Sequence, residues 1–591
     1  MMKFMAVLDD KQQGNYLVNW FRNIDPYLWL VVLLSLYIPL IGVNLYFRYD
    51  DAGTLLWAMD FKKSIFHAFD PRPWFDEFNF YNGVGGYYRP FESLYIMLLV
   101  KIFGTEPFYF QLINGIMVII TIVFMYKIAV MLSHSRLAGL LSVLIFHIAF
   151  QSLLYGTFHV VVPFGFFFEM IAFYFFMKGL IASNLKTILL GFLFLIPATN
   201  RQTTCLILTA MVIIFFITHW RESKFKLSQR ILIFVLAAVP NLLIPLTKNS
   251  NDATILSQPF SVIGYADYVW ERLFFYCSLL TTRLPGLIIL STICIYWLIN
   301  FPIHKVFPKT NVKINTLVAI LIGLLITSIA IKIQVLGIVL LISSLLILFF
   351  INRELEFVVT WFFVSLCLFS IIKFYHDAYF LEAAFALAII LGILLFKSVA
   401  KFQNVFDIEI KPQFEKLALL SGAVCFVVFG TVILKFPAVP VIGKKVEAVK
   451  ILIDTNQNFK KMIEYLAEEL PPNAKVFQLS EEYLGLTMTQ RRFLSLRERA
   501  ENVKVINILD SNVMIKALGR WDVEFKHAEG LTLGIPDNCV FIVHNKFEKR
   551  IAEKKFDLKL IREFKNKNTE AAIYQVLGIK EDLYLKSRLQ D

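Results

Sequence analysis

The chain has 591 residues and a formal net charge of +13; 58% of it is hydrophobic, 17% is charged, and mean hydropathy is +0.64. Soluble domains usually carry about 25% charged residues, so the composition excludes an ordinary soluble protein and points to the membrane. The positive charge requires no nucleic acid, because much of it lies in loops beside apolar runs, where anionic lipid headgroups are the natural partners.

A spanning helix takes about 20 apolar residues, and about thirteen such windows can be marked. They lie near 26–46, 108–132, 137–155, 158–180, 186–198, 202–219, 230–246, 284–301, 314–331, 334–351, 356–374, 379–396 and 415–434. Residues 1–25 are polar and mixed, and no small-residue cleavage site follows the first span. That span is therefore expected to remain as an anchor. The expected fold is an α-helical polytopic membrane protein with a large first outer loop at 47–107. Its transmembrane domain covers 26–436, and a soluble α/β domain covers 437–591.

Lys and Arg collect in alternate loops: Lys127 and Arg136; Lys178 and Lys186; Arg221, Lys224, Lys226 and Arg230; Lys305, Lys309 and Lys313; Lys397, Lys401, Lys411 and Lys416. This bias places the N-terminus in the cytoplasm. An odd number of spans then places residues 437–591 outside the cytoplasmic membrane, on the side of the first large loop. Of the cysteines, Cys205, Cys277, Cys294, Cys367 and Cys425 fall in or beside apolar runs and Cys539 stands alone. Neither a disulfide framework nor a metal spacing emerges.

The outer loops hold the candidate chemistry. Asp50 and Asp51 open the first of them, and carboxylates at a membrane surface cost free energy unless something pairs with them or uses them. The loop continues to Tyr87-Tyr88-Arg89-Pro90, and the apolar run Leu94–Phe103 is too short to span, so an interfacial helix is expected. The fifth span stops at Pro197, and Asn200-Arg201-Gln202-Thr203 leads at once into the sixth. Such a tight, short pair leaves Arg201 below the membrane surface, where it either snorkels outward or faces a cavity or partner. A guanidinium in a cavity suits bidentate recognition of phosphate. A third polar cluster, Lys373 to Tyr379 with His376 and Asp377, joins spans eleven and twelve, and Glu382 lies one turn inside the next helix. One topology brings all of these to the outer side. A carboxylate there can take a proton from an acceptor hydroxyl, and cations can stabilise charge growing on a leaving phosphate.

At these residues the chain resembles the GT-C superfamily of membrane glycosyltransferases, which includes protein mannosyltransferases and lipid A aminoarabinose transferases. The resemblance rests on the acidic pair Asp50-Asp51, on Tyr88-Arg89-Pro90-Phe91, on Glu106-Pro107-Phe108 followed by Gln111-Leu112-Ile113-Asn114, and on Ser135 to Leu141. It covers residues 26–240 well, the later spans loosely and the C-terminal part hardly at all. Where relatives often carry Ser-Lys-Glu, this chain has Asn200-Arg201-Gln202, and of their late Arg-Tyr-x-Tyr motif only Tyr379 matches clearly. The resemblance implies sugar transfer from a polyprenyl-phosphate donor to a glycan, lipid or protein acceptor, with membrane lipid as the other partner. It implies Asp50 as the base with Asp51 in support. Arg201, Arg89, His376 and Tyr379 would serve the donor phosphate. Some branches hold a divalent metal at the acidic pair and others none, and either fits the residues here.

In the C-terminal part, Asn458–Leu470 is expected to form an amphipathic helix and Ser511–Leu518 another. Lys475–Leu479, Val503–Leu509 and Cys539–His544 are expected strands. Two other classes fit the same composition. One is a transporter or flippase of a lipid-linked substrate, which wants charged residues in mid-span. The other is a catalytically silent GT-C relative in envelope polysaccharide assembly.

Overall fold

The computed structural model describes residues 25–36, 38–39, 90–104, 107–149, 162–198, 202–239, 262–281, 283–300, 312–353, 355–371 and 381–406. It further describes 475–478, 504–507, 539–543, 556–565 and 570–579, with Asn458, Lys461, Tyr465, Glu469 and Glu553. The expected span at 415–434 and helix at 511–518 lie outside these residues. The chain divides into two compact units. The first comprises Met1–Ile38, Ile116–Thr157 and Phe164–Val432; the second comprises Pro39–Gly115, Phe158–Pro163 and Ile433–Asp591.

The helices are α1 (Pro26–Ser35), α2 (Pro90–Phe103), α3 (Pro107–Ser133), α4 (Arg136–Ala149), α5 (Val162–Ile181), α6 (Leu185–Ala198) and α7 (Gln202–Thr218). They continue as α8 (Leu227–Ala238), α9 (Val262–Thr281), α10 (Arg283–Asn300), α11 (Val312–Lys332), α12 (Gln334–Ile351), α13 (Glu356–Ile371) and α14 (Leu381–Phe406). Lipid offers a backbone no hydrogen-bond partners, so apolar runs of this length close their bonds within themselves. Among the described residues, α5, α12, α14 and Phe108–Ser133 of α3 are long and apolar enough to cross a membrane. Shorter apolar helices fill out the set. Large apolar side chains point outward on α11 and α12, Leu321 at 66% and Phe350 at 79% exposure. A surface of this kind is built for lipid rather than water, and the chain is a multi-pass membrane protein.

The core of the first unit is α14, whose side chains from Leu381 to Leu394 are all buried. Ala383, Ala384, Ala386, Ala388 and Gly392 keep it thin, and α4 packs on it most extensively, with α13 and α10 also against it. At Gly392 a Cβ would overlap Ser142 of α4. The Ser142 hydroxyl donates to Ala138 O at 2.9 Å and reaches Ile389 O at 3.5 Å. In lipid, helices have no hydrophobic drive toward each other, and close backbone approach through small residues replaces it.

Short connections make consecutive helices antiparallel. The α3–α4, α5–α6, α7–α8 and α12–α13 connections meet around His134, Ser183, His219 and Arg353 at one end of the unit, the basic end, which carries Arg136, Lys178, Lys186, Lys224, Arg230 and Arg353. The α6–α7, α11–α12 and α13–α14 connections fall at the far end. The α5–α6 turn closes through Ser183, at φ 52°, with Asn184 N donating to Gly179 O at 2.8 Å. The fifth expected span is as short as its sequence implied: α6 has 14 residues, and α7 begins after residues 199–201. Between the expected spans at 230–246 and 284–301 lies α9, which packs on α13 and α12 and buries Tyr276, Cys277 and Leu280.

In the second unit the run 94–103 is helical, as expected, within α2. Tyr95 OH donates to Asn114 Oδ1 at 2.7 Å, and Phe103 stacks on Tyr109 at 4.9 Å. Five strands form one sheet in the order β2-β1-β3-β5-β4: β1 (Lys475–Gln478), β2 (Lys504–Asn507), β3 (Cys539–Val543), β4 (Phe556–Lys565) and β5 (Glu570–Ile579). The first three are the strands expected, with β1 parallel to both β2 and β3. The antiparallel pair β4–β5 adds to β3, placing Phe541 opposite Tyr574. Asn458, Lys461 and Tyr465 are helical. Arg562 of β4 donates to Glu469 at 2.8 Å and lies over the Tyr465 ring at 4.7 Å.

Candidate functional site

The residues singled out in the sequence, Asp50, Asp51, Arg89, Arg201, His376 and Tyr379, all lie outside the described residues. Their chain neighbours do not. Arg89 directly precedes α2, Arg201 directly precedes α7, and Tyr379 stands two residues before α14.

Two buried carboxyl groups meet the first turn of α7. Thr203 Oγ1 donates to Glu382 Oε1 at 2.9 Å, and Thr204 Oγ1 donates to Glu169 Oε2 at 3.1 Å. Glu382, the second residue of α14, has no exposed surface, and Glu169 of α5 is 1% exposed. The Thr203–Glu382 bond joins the helix that follows Arg201 to the helix that follows the His376–Tyr379 segment.

The second bond measures depth. Glu169 lies seven residues into α5 from Val162, about 10 Å along the helix at 1.5 Å per residue. Its partner Thr204 is the third residue of α7. The start of α7 is therefore set well inside the far end of α5, as the short α6 and its tight turn require. Ionisable side chains at such depth usually serve a pathway or a site. Glu382 was visible in the sequence from its place beside a polar loop. Glu169 was not singled out, although one carboxyl inside Phe166-Phe167-Phe168-Glu169-Met170 was the available signal. Arg272 of α9, at 9% exposure, is a further buried ionisable group.

The basic end carries a second polar cluster, around a cavity of about 280 Å³ lined by His134, Ser183, His219, Glu222, Arg353 and apolar side chains. His219 Nε2 lies 2.5 Å from Glu356 Oε1, and its Nδ1 lies 3.1 Å from Glu222 Oε2. Arg353 Nη1 donates to Glu222 Oε1 at 2.6 Å. His219 and Arg353 together hold the Glu222 carboxyl below its ordinary range, and Glu222 in turn raises the Arg353 guanidinium. This cluster ties the connection after α7 to the start of α13. Both ends of α7 are thus fastened by side chains.

Among the described residues, no group of three or more His, Cys, Asp or Glu side chains is placed to hold a metal ion. A metal at Asp50 and Asp51 would lie outside them. A further cavity, about 370 Å³, lies in the second unit between Tyr465, Glu469 and the Arg562–Lys565 stretch of β4. The Arg562–Glu469 pair spans its wall.

No protein-family model matches the chain, and no curated protein matches it. Among solved structures, the chain is similar to ArnT from Cupriavidus metallidurans in crystals bound to undecaprenyl phosphate, with 12% identity and a TM-score of 0.41. The match covers 92% of this chain and 97% of that one. It is similar to the apo crystal structure of the same protein at 11% identity and a TM-score of 0.40, over the same shares of the two chains.

Proposed function

We propose that this chain is an integral membrane glycosyltransferase that moves a sugar from a polyprenyl-phosphate donor to an acceptor at the outer face of the cytoplasmic membrane. The observation that carries the reading is the Thr203–Glu382 bond at the sunken start of α7. It brings together the roots of two polar segments, one ending in Arg201 and the other spanning His376 to Tyr379, at membrane depth. A lipid-linked phosphate presents its charge at that boundary, and a guanidinium there can grip two of its oxygens. In this reading Asp50 deprotonates the acceptor hydroxyl and Asp51 supports it. Arg201 holds the donor phosphate with His376 and Tyr379 beside it, and Arg89 shapes the first loop. The sheet-bearing C-terminal part is expected outside the cytoplasm and receives the acceptor.

The test uses the full chain in lipid nanodiscs with radiolabelled polyprenyl-phosphate sugars and a crude envelope acceptor extract. Wild type is expected to transfer label, and folded Asp50→Asn to lose at least about 10²-fold, the usual contribution of a general base. An Asp50→Asn protein with full activity sinks the base assignment. One observation favours a second reading, a lipid-substrate transporter: Glu169 is a buried carboxyl inside a span, as such proteins use. Translocation of labelled lipid across a sealed bilayer without sugar transfer would select it.

A further inference from the structure

Resting on that reading of Arg201, we propose that Thr203 with Glu382, and Thr204 with Glu169, are positioning residues that fix where Arg201 enters the donor site. Successive residues on an α-helix leave it about 100° apart, so the two hydroxyls emerge on different flanks of α7. They reach carboxyl groups on different helices, Glu382 on α14 and Glu169 on α5. One such bond would leave the first turn free to roll about the helix axis or slide along it. Two bonds to two helices block both motions.

The first turn is where restraint matters. Its backbone N–H groups have no partner within the helix, so it is the turn most ready to fray, and Arg201 is attached directly to it. Both carboxyl groups sit in the buried layer of the unit, and Glu382 belongs to the most enclosed helix of the core. The restraint is therefore anchored in the part of the protein least able to move. A phosphate-binding guanidinium works through geometry, and a misplacement on the order of 1 Å can cost about 10²-fold.

The experiment measures binding of polyprenyl phosphate, without sugar, to the full chain in nanodiscs. Wild type is compared with Thr203→Val, Thr203→Ser, Glu382→Gln, Arg201→Gln and the double variant Arg201→Gln with Thr203→Val. Thr203→Val is expected to weaken binding about tenfold, on the order of one lost hydrogen bond, and Thr203→Ser to recover most of that loss. The Thr203→Val effect should vanish when Arg201 is already Gln, because a residue that acts through Arg201 has nothing left to position. Should Thr203→Val fail to fold in thermal unfolding, Glu382→Gln in the same two backgrounds carries the same test. Losses that add independently of Arg201, or hydroxyl variants that bind like wild type while Arg201→Gln does not, overturn the positioning role and leave the donor reading standing. Wild type that binds no polyprenyl phosphate overturns both.

Discussion

At the scale of single residues, Glu222 is paired with His219 and Arg353 at the basic end. Those two partners hold its folded-state value below the ordinary glutamate value of 4.5. A carboxyl that is more acidic folded than unfolded stabilises the fold at pH above its ordinary value and loses that contribution as pH falls through the lower folded value. Thermal unfolding in nanodiscs should therefore show wild type losing stability below pH 4.5 more steeply than Glu222→Gln, and at pH 7 the variant should melt lower. Equal pH slopes would remove the interaction from the stability balance. The residue scale is also where the sequence was least legible. Glu382 announced itself by standing at the start of the helix that follows the polar cluster of His376 and Asp377. Glu169 hid inside a run of phenylalanines, because periodicity reports which face is apolar and not which single polar group finds a partner on another helix. Nothing in the sequence marks Thr203 and Thr204 as partners of Glu382 and Glu169 on other helices.

At the scale of elements, α4 and α14 approach closely at Ser142 and Gly392. A Cβ at Gly392 would overlap the Ser142 hydroxyl and lie 2.5 Å from its backbone nitrogen, so both side chain and main chain of α4 would have to move. Overpacking a close contact typically costs about 1–3 kcal/mol, and this contact lies in the core that anchors Glu382. Gly392→Val is expected to lower the midpoint of thermal unfolding by several degrees, with Gly392→Ala intermediate. A Gly392→Val protein that melts with wild type would mean that the helices separate there at no cost. Helix existence was legible for α3 to α8 and α10 to α14, because long apolar runs in lipid have few alternatives, whereas α9, which carries Asp267, Glu271 and Arg272, was not among the expected spans. The short α6 and the abrupt start of α7 were legible too, since Pro197 and the polar stretch Asn200 to Gln202 mark the break. The hairpin β4–β5 was not. Among the described side chains of β4 only Phe564 is buried, and irregular register between Leu560 and Arg562 spoils the alternation by which a strand is read. Its row of Lys, Arg and Glu is what an exposed sheet edge requires, and in a bare sequence that pattern passes for a loop.

At the scale of the whole molecule, every functional assignment depends on which end of the helical unit faces the cytoplasm. The charge bias was plain in the sequence. The alternating short connections gather Arg136, Lys178, Lys186, Lys224, Arg230 and Arg353 at one end, opposite the start of α7 and its buried carboxyl groups. Basic loops stay on the cytoplasmic side, so the basic end is expected inside, and the Thr203–Glu382 bond near the outer face. Two exposed turn positions read this out directly. Ala182 lies in the α5–α6 turn at the basic end and Lys332 at the α11–α12 turn at the far end, and both are exposed. In a chain whose six native cysteines are replaced by serine or alanine, Lys332→Cys should react with a membrane-impermeant maleimide added to intact cells. Ala182→Cys should react only once the membrane is opened. The reverse pattern would put the α7 start on the cytoplasmic side, where the donor would have to carry its sugar on the inner leaflet. Labelling of both positions from one side would mean that α6, α7, α8, α10 and α11, the five helices expected to cross between them, do not all do so. Alternation of the helices between the two turns would then fail, and with it the convergence of the Arg201 and His376 segments on a single face.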